Sequence, residues 1–309
     1  MTASSFELVI NGRFLARPAT GVDRFAGELM RAMDRMLAKA QQQGARDLPP
    51  VELYTPDGCE PPALRYIRHR MVAGRATQVW EQGPLLMASS GKFLINLCNT
   101  APLLKRNQLV VIHDAATSKV PAAFSLAFRS WYGLMLPVLG RTARCIATVS
   151  QFSRAEIADA FGIPLQKIGL IPEGAEHLQS TPPDMSVIAK HRLCERPFFL
   201  AVSSRVPHKN LSLIVRAMES WPDEMGFDMA IAGGTNARVF RSAGAGDHPR
   251  IKWLGYVSNP ELRALYEHAH AFIFPSLYEG FGLPPLEAMS FGCPVICSSV
   301  ASMPEVWGG

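Results

Sequence analysis

Phe274-Pro275-Ser276-Leu277-Tyr278-Glu279-Gly280-Phe281-Gly282-Leu283-Pro284-Pro285-Leu286-Glu287-Ala288-Met289 is the stretch that decides the fold. The apolar run Ala271–Phe274 leads into it and predicts a buried strand. A turn containing glycine follows, and then a helix over Pro284–Phe291, opened by Pro284 and Pro285 because proline is tolerated in a first helical turn. Strand, glycine turn and helix form the unit of an open parallel sheet, where ligands meet the chain beyond the carboxyl ends of the strands. A helix N-terminus aimed there offers phosphate both unsatisfied N–H donors and the positive end of a dipole. Glu279 at the strand end and Glu287 in the first helical turn, with seven residues between them, would accept hydrogen bonds from sugar hydroxyls. Taken singly, Glu287 could equally complement the helix dipole and Glu279 could be a surface charge.

The same alternation recurs on both sides of this stretch. Strands are predicted over Phe198–Val202, Phe227–Ala232, Ile251–Leu254 and Val295–Cys297, and helices over Asn210–Ser220 and Pro260–His270. The loop Ser203-Ser204-Arg205-Val206-Pro207-His208-Lys209-Asn210 again lies between a strand and a helix, and its two cations, Arg205 and Lys209, suit a diphosphate leaving group. Nearer the N-terminus, Phe6–Ile10 predicts a strand, followed by a loop through Gly12 and Gly21. A helix over Val22–Ala40 comes next, burying Phe25, Leu29, Met33 and Met36–Leu37. Apolar runs at Phe93–Leu97, Leu109–Ile112 and Cys145–Val149 each stop at a polar residue, the second at His113-Asp114 and the third at Ser150. The turn-rich segment Ile171–Pro183 predicts a boundary, giving two α/β units, 1–175 and 176–309, facing a cleft.

Composition agrees with two globular domains: 309 residues, 48% hydrophobic and 18% charged. Residues 1–180 carry 20 basic against 14 acidic side chains, whereas the remainder is nearly balanced. That asymmetry points to an anionic partner for the first half, whether nucleic acid, a phosphorylated acceptor or an anionic membrane, or else to scattered surface charge. No groove-reading or base-stacking module accompanies the basic residues, which argues against nucleic acid. Arg65, Arg68, Arg70 and Arg75, with the apolar stretch Phe124–Leu139, could form a peripheral membrane surface, or that stretch could be a core helix broken at Pro137. The six cysteines include no C-x-x-C pair, so most of them read as core thiols of a reducing compartment rather than as a disulfide or zinc framework. Leu8–Ile10 is too short for a signal peptide, and Gly292-Cys293-Pro294 interrupts the longest uncharged run, so a location in the cytoplasm, free or peripheral at the inner membrane face, is expected.

Taken together, these motifs resemble glycosyltransferase family 4, the retaining enzymes of the GT-B fold. The resemblance rests on the E-x7-E element Glu279–Glu287 and the Arg205/Lys209 loop with its His208-Lys209-Asn210 tripeptide. Ala19-Thr20-Gly21-Val22-Asp23-Arg24, His113-Asp114, Ser150-Gln151-Phe152-Ser153 and Ile171-Pro172-Glu173-Gly174 add to it. It implies an acceptor-binding N-terminal and a nucleotide-sugar-binding C-terminal Rossmann-like domain. It also implies transfer of a hexose, mannose first, from a GDP- or UDP-sugar to a saccharide or lipid-linked acceptor. Glu279 would meet the donor hexose, Glu287 the ribose, and Arg205 with Lys209 the diphosphate. Backbone at Gly21, Gly282 and Leu283 would complete the phosphate cradle, and His113 would lie near the reacting sugar. The chain contains no D-x-D triplet, so neither a metal nor another cofactor is expected. Two departures stand out: Glu173 occupies a position where the family usually has asparagine, and the family usually continues beyond Pro304-Glu305-Val306 to a final helix. A nucleotide-sugar epimerase of the same fold, or a non-catalytic partner of a transferase, would share most of these motifs.

Overall fold

The computed structural model describes residues 7–17, 19–203, 206–222, 226–233 and 248–307. The chain divides into two compact units, one of residues 1–119 and 126–172, the other of residues 120–125 and 173–309. The first is built on seven parallel strands: β1 (Leu8–Asn11), β2 (Val51–Thr55), β3 (Arg68–Met71), β4 (Phe93–Asn96), β5 (Gln108–Val111), β6 (Cys145–Thr148) and β7 (Ile168–Leu170), in the order β3-β2-β1-β4-β5-β6-β7. The second has five: β8 (Phe198–Val202), β9 (Asp228–Ala232), β10 (Ile251–Gly255), β11 (Ala271–Phe274) and β12 (Val295–Cys297), in the order β10-β9-β8-β11-β12. In each sheet the first strand in sequence is flanked by the second on one side and by the fourth on the other. The order therefore reverses beside β1 and beside β8, and these are the two switch points at which a parallel sheet opens a crevice.

Side-chain chemistry explains which elements were hard to read. Strand β3, Arg68-His69-Arg70-Met71, is exposed throughout and lies at the sheet edge, so it carries charge instead of an apolar pattern. The first long helix, Gly21–Gln42, buries Phe25, Ala26, Met30 and Ala38, while Met36, expected on the buried face, is 72% exposed. The buried stripe runs through Asp34 instead. A carboxylate is tolerated there because it accepts three backbone N–H bonds, from Arg65 at 2.9 Å and from Tyr66 and Ile67 at 2.8 Å each. The cysteines also depart from expectation: Cys293 is buried, Cys59 and Cys98 are half-buried, and Cys145, Cys194 and Cys297 are exposed. Cys297 closes β12, the edge strand of its sheet, beyond which no strand pairs among the described residues. The helix Leu126–Thr142 runs on through Pro137 rather than breaking, burying Met135, Leu136 and Leu139 but exposing Leu126, Phe128 and Leu134. Among the described residues no helix is long and apolar enough to cross a membrane.

Asp34 gives a pH prediction. Burial by itself would raise its pKa, but the N–H groups of Ile67, Arg65 and Tyr66 outweigh it and hold the carboxyl below the ordinary aspartate value. A depressed folded-state pKa means that the stabilisation is present above the unfolded value of about 3.9 and is lost as pH falls through the folded one. Asp34→Ala should cost about 2–3 kcal/mol near neutral pH, since three backbone donors, that of Ile67 buried, lose a charged acceptor. The gap to wild type should shrink in acid, as read by denaturant melts across pH. A gap that stays constant down to pH 2 contradicts this account.

Candidate functional site

The second unit concentrates the expected residues at its switch point, beyond the carboxyl ends of β8 and β11. Two loops meet there and are stitched together. The Leu277 N–H donates to the His208 carbonyl at 2.7 Å, and the Asn210 side-chain amide donates to the Pro275 carbonyl at 3.2 Å. Asn210 holds a left-handed conformation, φ +55, which asparagine tolerates better than most residues and which turns the loop into the helix Leu211–Glu219. Lys209, thereby brought over β11, places Nζ 2.5 Å from Glu279 Oε1 and over the Phe274 ring. Ser276 donates to the same carboxylate oxygen at 2.6 Å. Both members of the pair are largely buried, with side chains 20% and 12% exposed. Lys209 and Glu279, read from the sequence as a phosphate ligand and a hexose ligand with separate tasks, are thus directly bonded. Arg205 lies outside the described residues.

The turn that follows is held from behind. The Ser298 hydroxyl donates to the Ser276 carbonyl, and the Ser302 hydroxyl lies 3.0 Å from the Glu279 carbonyl and 2.9 Å from that of Phe281. Gly282 caps the helix Leu283–Ser290 at φ +91, a conformation that side chains rarely adopt, and a Cβ there would press on the Trp307 ring at 3.2 Å. Of the four donors a helix leaves open at its start, proline removes two, because Pro284 and Pro285 have no N–H. The Gly282 and Leu283 N–H groups are what remain for an anion, so the cradle is narrower than a bare helix N-terminus would suggest.

Glu287 is placed differently from its partner in the motif. It is 1% exposed; its Oε2 accepts from the Tyr266 hydroxyl at 2.8 Å, and its Oε1 lies 3.1 Å from His177 Nε2, close but not aligned as a hydrogen bond. The helix therefore buries Glu287 against the core of its own unit, while Glu279 sits in the loop. Tyr266 and His177 were not singled out in the sequence. No local pattern marks them, because they meet Glu287 only through the packing of three separate segments.

In the first unit, Gly21 begins the Gly21–Gln42 helix after Thr20, whose N–H and hydroxyl both donate to Asp23 Oδ2, at 3.0 and 2.7 Å. Arg17 braces Asp23 through two bonds to Oδ1. Gly21 is exposed and a Cβ there would meet nothing within 4 Å, so neither packing nor a strained φ within the chain demands glycine. His113 lies just past β5 and is buried, with its ring edge-on to Phe25 and Nε2 2.9 Å from the Leu97 carbonyl. A carbonyl only accepts, so that nitrogen carries the proton. Among the described residues there is no cluster of three or more histidine, cysteine, aspartate or glutamate side chains able to hold a metal.

Two α/β units in series, each on a parallel sheet with a switch point beside its first strand, define the GT-B class of fold, and the chain has that fold. Residues 187–308 match the family model described as glycosyl transferases group 1. The chain is similar to O-antigen chain mannosyltransferase B of Escherichia coli, 35% identical over 54% of this chain and 46% of that protein. It is also similar to O-antigen chain mannosyltransferase RfbU of Salmonella typhimurium, 28% identical over 72% and 60%. It thus spans about half the length of the first of these curated relatives and about three-fifths of the second. Among solved structures it resembles Anabaena HepE in complex with UDP and glucose, with a TM-score of 0.63 and 17% identity over 97% of this chain and 82% of that one. The chain is a relative of glycosyltransferases.

Proposed function

We propose that the protein is a retaining glycosyltransferase that moves a hexose, mannose first, from a GDP- or UDP-sugar to a saccharide or lipid-linked acceptor. The observation that carries this reading is the convergence of Lys209, Glu279 and the Gly282 and Leu283 N–H groups at one switch point. A departing diphosphate needs the cation and the donors, and a hexose needs a carboxylate that accepts from its hydroxyls. Charge builds on the leaving group as the glycosidic bond loosens, and one preorganised donor aimed at such charge is worth about 10²–10³ in rate. Arg205 is assigned as the second cation from its place in the loop. Gly21 leaves room for a phosphate to approach the start of its helix. His113 is assigned to the neighbourhood of the reacting sugar, its ring fixed by Leu97 and Phe25. Glu287 reaches a ribose only by exchanging one of its present contacts. The similarity to O-antigen mannosyltransferases supports mannose and a polysaccharide pathway.

A donor screen tests the reading. GDP- and UDP-hexoses are incubated with the chain and nucleotide diphosphate release is followed, with and without EDTA. Release from one sugar nucleotide that persists in EDTA is expected, because the sequence lacks the D-x-D triplet that would hold a metal. No release from any donor, or release restored only by Mn²⁺, counts against it. Peripheral contact with an anionic membrane belongs to the same reading, through the exposed Leu126, Phe128 and Leu134 and the basic excess of the first half. The chain should co-sediment with anionic vesicles at low salt more than with neutral ones; equal partitioning would remove this part.

A further inference from the structure

A cavity of about 670 Å³ lies at the amino ends of β1, β2, β3 and β4, the opposite end of the first sheet from its switch point. Small-molecule sites span roughly 300–1,000 Å³, so the size is suitable. Glu7 just before β1, Glu52 in β2, Lys92 just before β4, and Arg65 and Arg68 at the entry to β3 supply its charge. These charges are unevenly matched. Lys92 Nζ stands 2.5 Å from Glu52 Oε2 and 2.8 Å from Glu7 Oε2, and it donates to the Tyr54 hydroxyl at 3.0 Å. One ammonium is thus answered by two carboxylates. Glu52 Oε2 also accepts from the Tyr54 hydroxyl at 2.9 Å, whereas Oε1 of the same side chain, which is 25% exposed, receives no donor among the described residues. Arg65 and Arg68 are exposed and form no ion pair among the described residues, although Arg68 is paired in register with Glu52 and Arg65 acts on Asp34 through space. Two cations without a bonded counter-charge therefore stand beside an open carboxylate oxygen.

The backbone that carries the two arginines is fixed, which separates this arrangement from charges scattered over a surface. The N–H groups of Arg65, Tyr66 and Ile67 all donate to the buried Asp34, and the Tyr66 hydroxyl donates to the Pro49 carbonyl at 2.9 Å. Both guanidinium stems start from held positions, and a preorganised site loses less entropy on binding. Arginine suits phosphate, because its planar fork presents parallel N–H donors to two oxygens at once. An open carboxylate oxygen suits a hydroxyl, which donates without bringing a charge of its own. Lys92 offsets much of the negative charge that would otherwise repel an anion from Glu52 and Glu7. A phosphate joined to a hydroxylated carbon chain combines the two requirements.

We propose that this cavity binds a sugar phosphate, with the phosphate on Arg65 and Arg68 and a hydroxyl donating to Glu52 Oε1. The site is separate from the one at β8 and β11, and its existence does not rest on the glycosyltransferase reading. Calorimetric titration of the full chain with mannose-6-phosphate tests it, with inorganic phosphate and free mannose as the separated parts of the probe. Wild type should bind the sugar phosphate more tightly than either part. Arg65→Gln and Arg68→Gln should each weaken both the sugar phosphate and inorganic phosphate about tenfold, the loss expected for a hydrogen bond to a charged group. Glu52→Gln should weaken the sugar phosphate but not inorganic phosphate, because an amide turned to the cavity offers a donor where the hydroxyl needs an acceptor. GDP and UDP should bind all three variants as they bind wild type. No binding of the sugar phosphate by wild type, binding unchanged in both arginine variants, or binding displaced by GDP overturns the proposal. Capture of phosphatidylglycerol vesicles through Arg65 and Arg68 without any binding of mannose-6-phosphate also overturns it, and makes this face a membrane contact. If Glu52→Gln does not fold, as judged by its melting transition, the arginine variants decide, since their side chains are exposed and form no ion pair among the described residues.

Discussion

Lys209→Ala is expected to slow sugar transfer by about 10²–10³ and to weaken nucleotide diphosphate binding, because it removes a cation from the proposed leaving-group site. The tertiary contact adds a second consequence. With Lys209 Nζ 2.5 Å from Glu279 Oε1, removing either partner leaves the other largely buried and without its counter-charge. Glu279→Ala should therefore disturb nucleotide binding too, by releasing the lysine, although a carboxylate that met only the hexose would leave it intact. The double variant should be scarcely worse than the poorer single one, a coupling of about 1–3 kcal/mol in a double-mutant cycle on nucleotide affinity. Glu279→Gln, which can still accept from Ser276, should retain more transfer than Glu279→Ala. Additive losses in the double variant would mean that the pair does not operate in solution, and the two residues would regain separate roles.

Glu287→Ala is expected to act first on stability. Its carboxylate is buried beside Tyr266 and His177, so alanine removes the charged acceptor of the Tyr266 hydroxyl in a site that is 1% exposed. Losing such a buried hydrogen bond to a charged group costs about 1–3 kcal/mol. For a chain of this size that lowers the melting temperature by roughly 2–9 °C. Glu287→Gln keeps the bond from Tyr266 and should lose much less. Because folding and ribose contact are both at stake, nucleotide affinity is to be measured well below the melting point, where a further loss of about 1–3 kcal/mol reports the ligand contact alone. A Glu287→Ala protein that melts with wild type would show that the buried carboxylate is not structural.

Much of the fold was legible because its strands are apolar runs cut off by polar residues. Phe198–Val202, Ala271–Phe274 and Val295–Cys297 occur where their composition placed them. The helices shift by a residue or two at their ends, where caps rather than apolar spacing set the limit; Ser258, for example, starts its helix one residue earlier than Pro260 suggested, by bonding Glu261. The elements that escaped include charged β3 on the edge and β7, three residues long with Gly169 at its centre, but also the largely buried β2 and the helix Gln151–Phe161, which no reading of the sequence singled out. The same holds for sites. Glu279, Lys209, Gly282 and Leu283 stand close to strand and helix ends, where chain order alone marks them. Glu52, Tyr266 and His177 stand inside a strand, a helix and a helical turn without a local signature.

What the amino-acid sequence by itself determined was the alternation of strand and helix, the two-unit division, and which loops carry cations and carboxylates, because each depends on residues near one another along the chain. Tertiary structure decided how those groups are paired. Lys209 meets Glu279 only because β8 and β11 are neighbours in the sheet, although seventy residues separate the two side chains. Likewise Lys92 meets Glu52 only because β2 and β4 both flank β1. Hydrogen bonds and ion pairs act over about 3 Å, so which charge is held and which oxygen is left without a donor is settled by strand order and packing, and these lie beyond any local pattern.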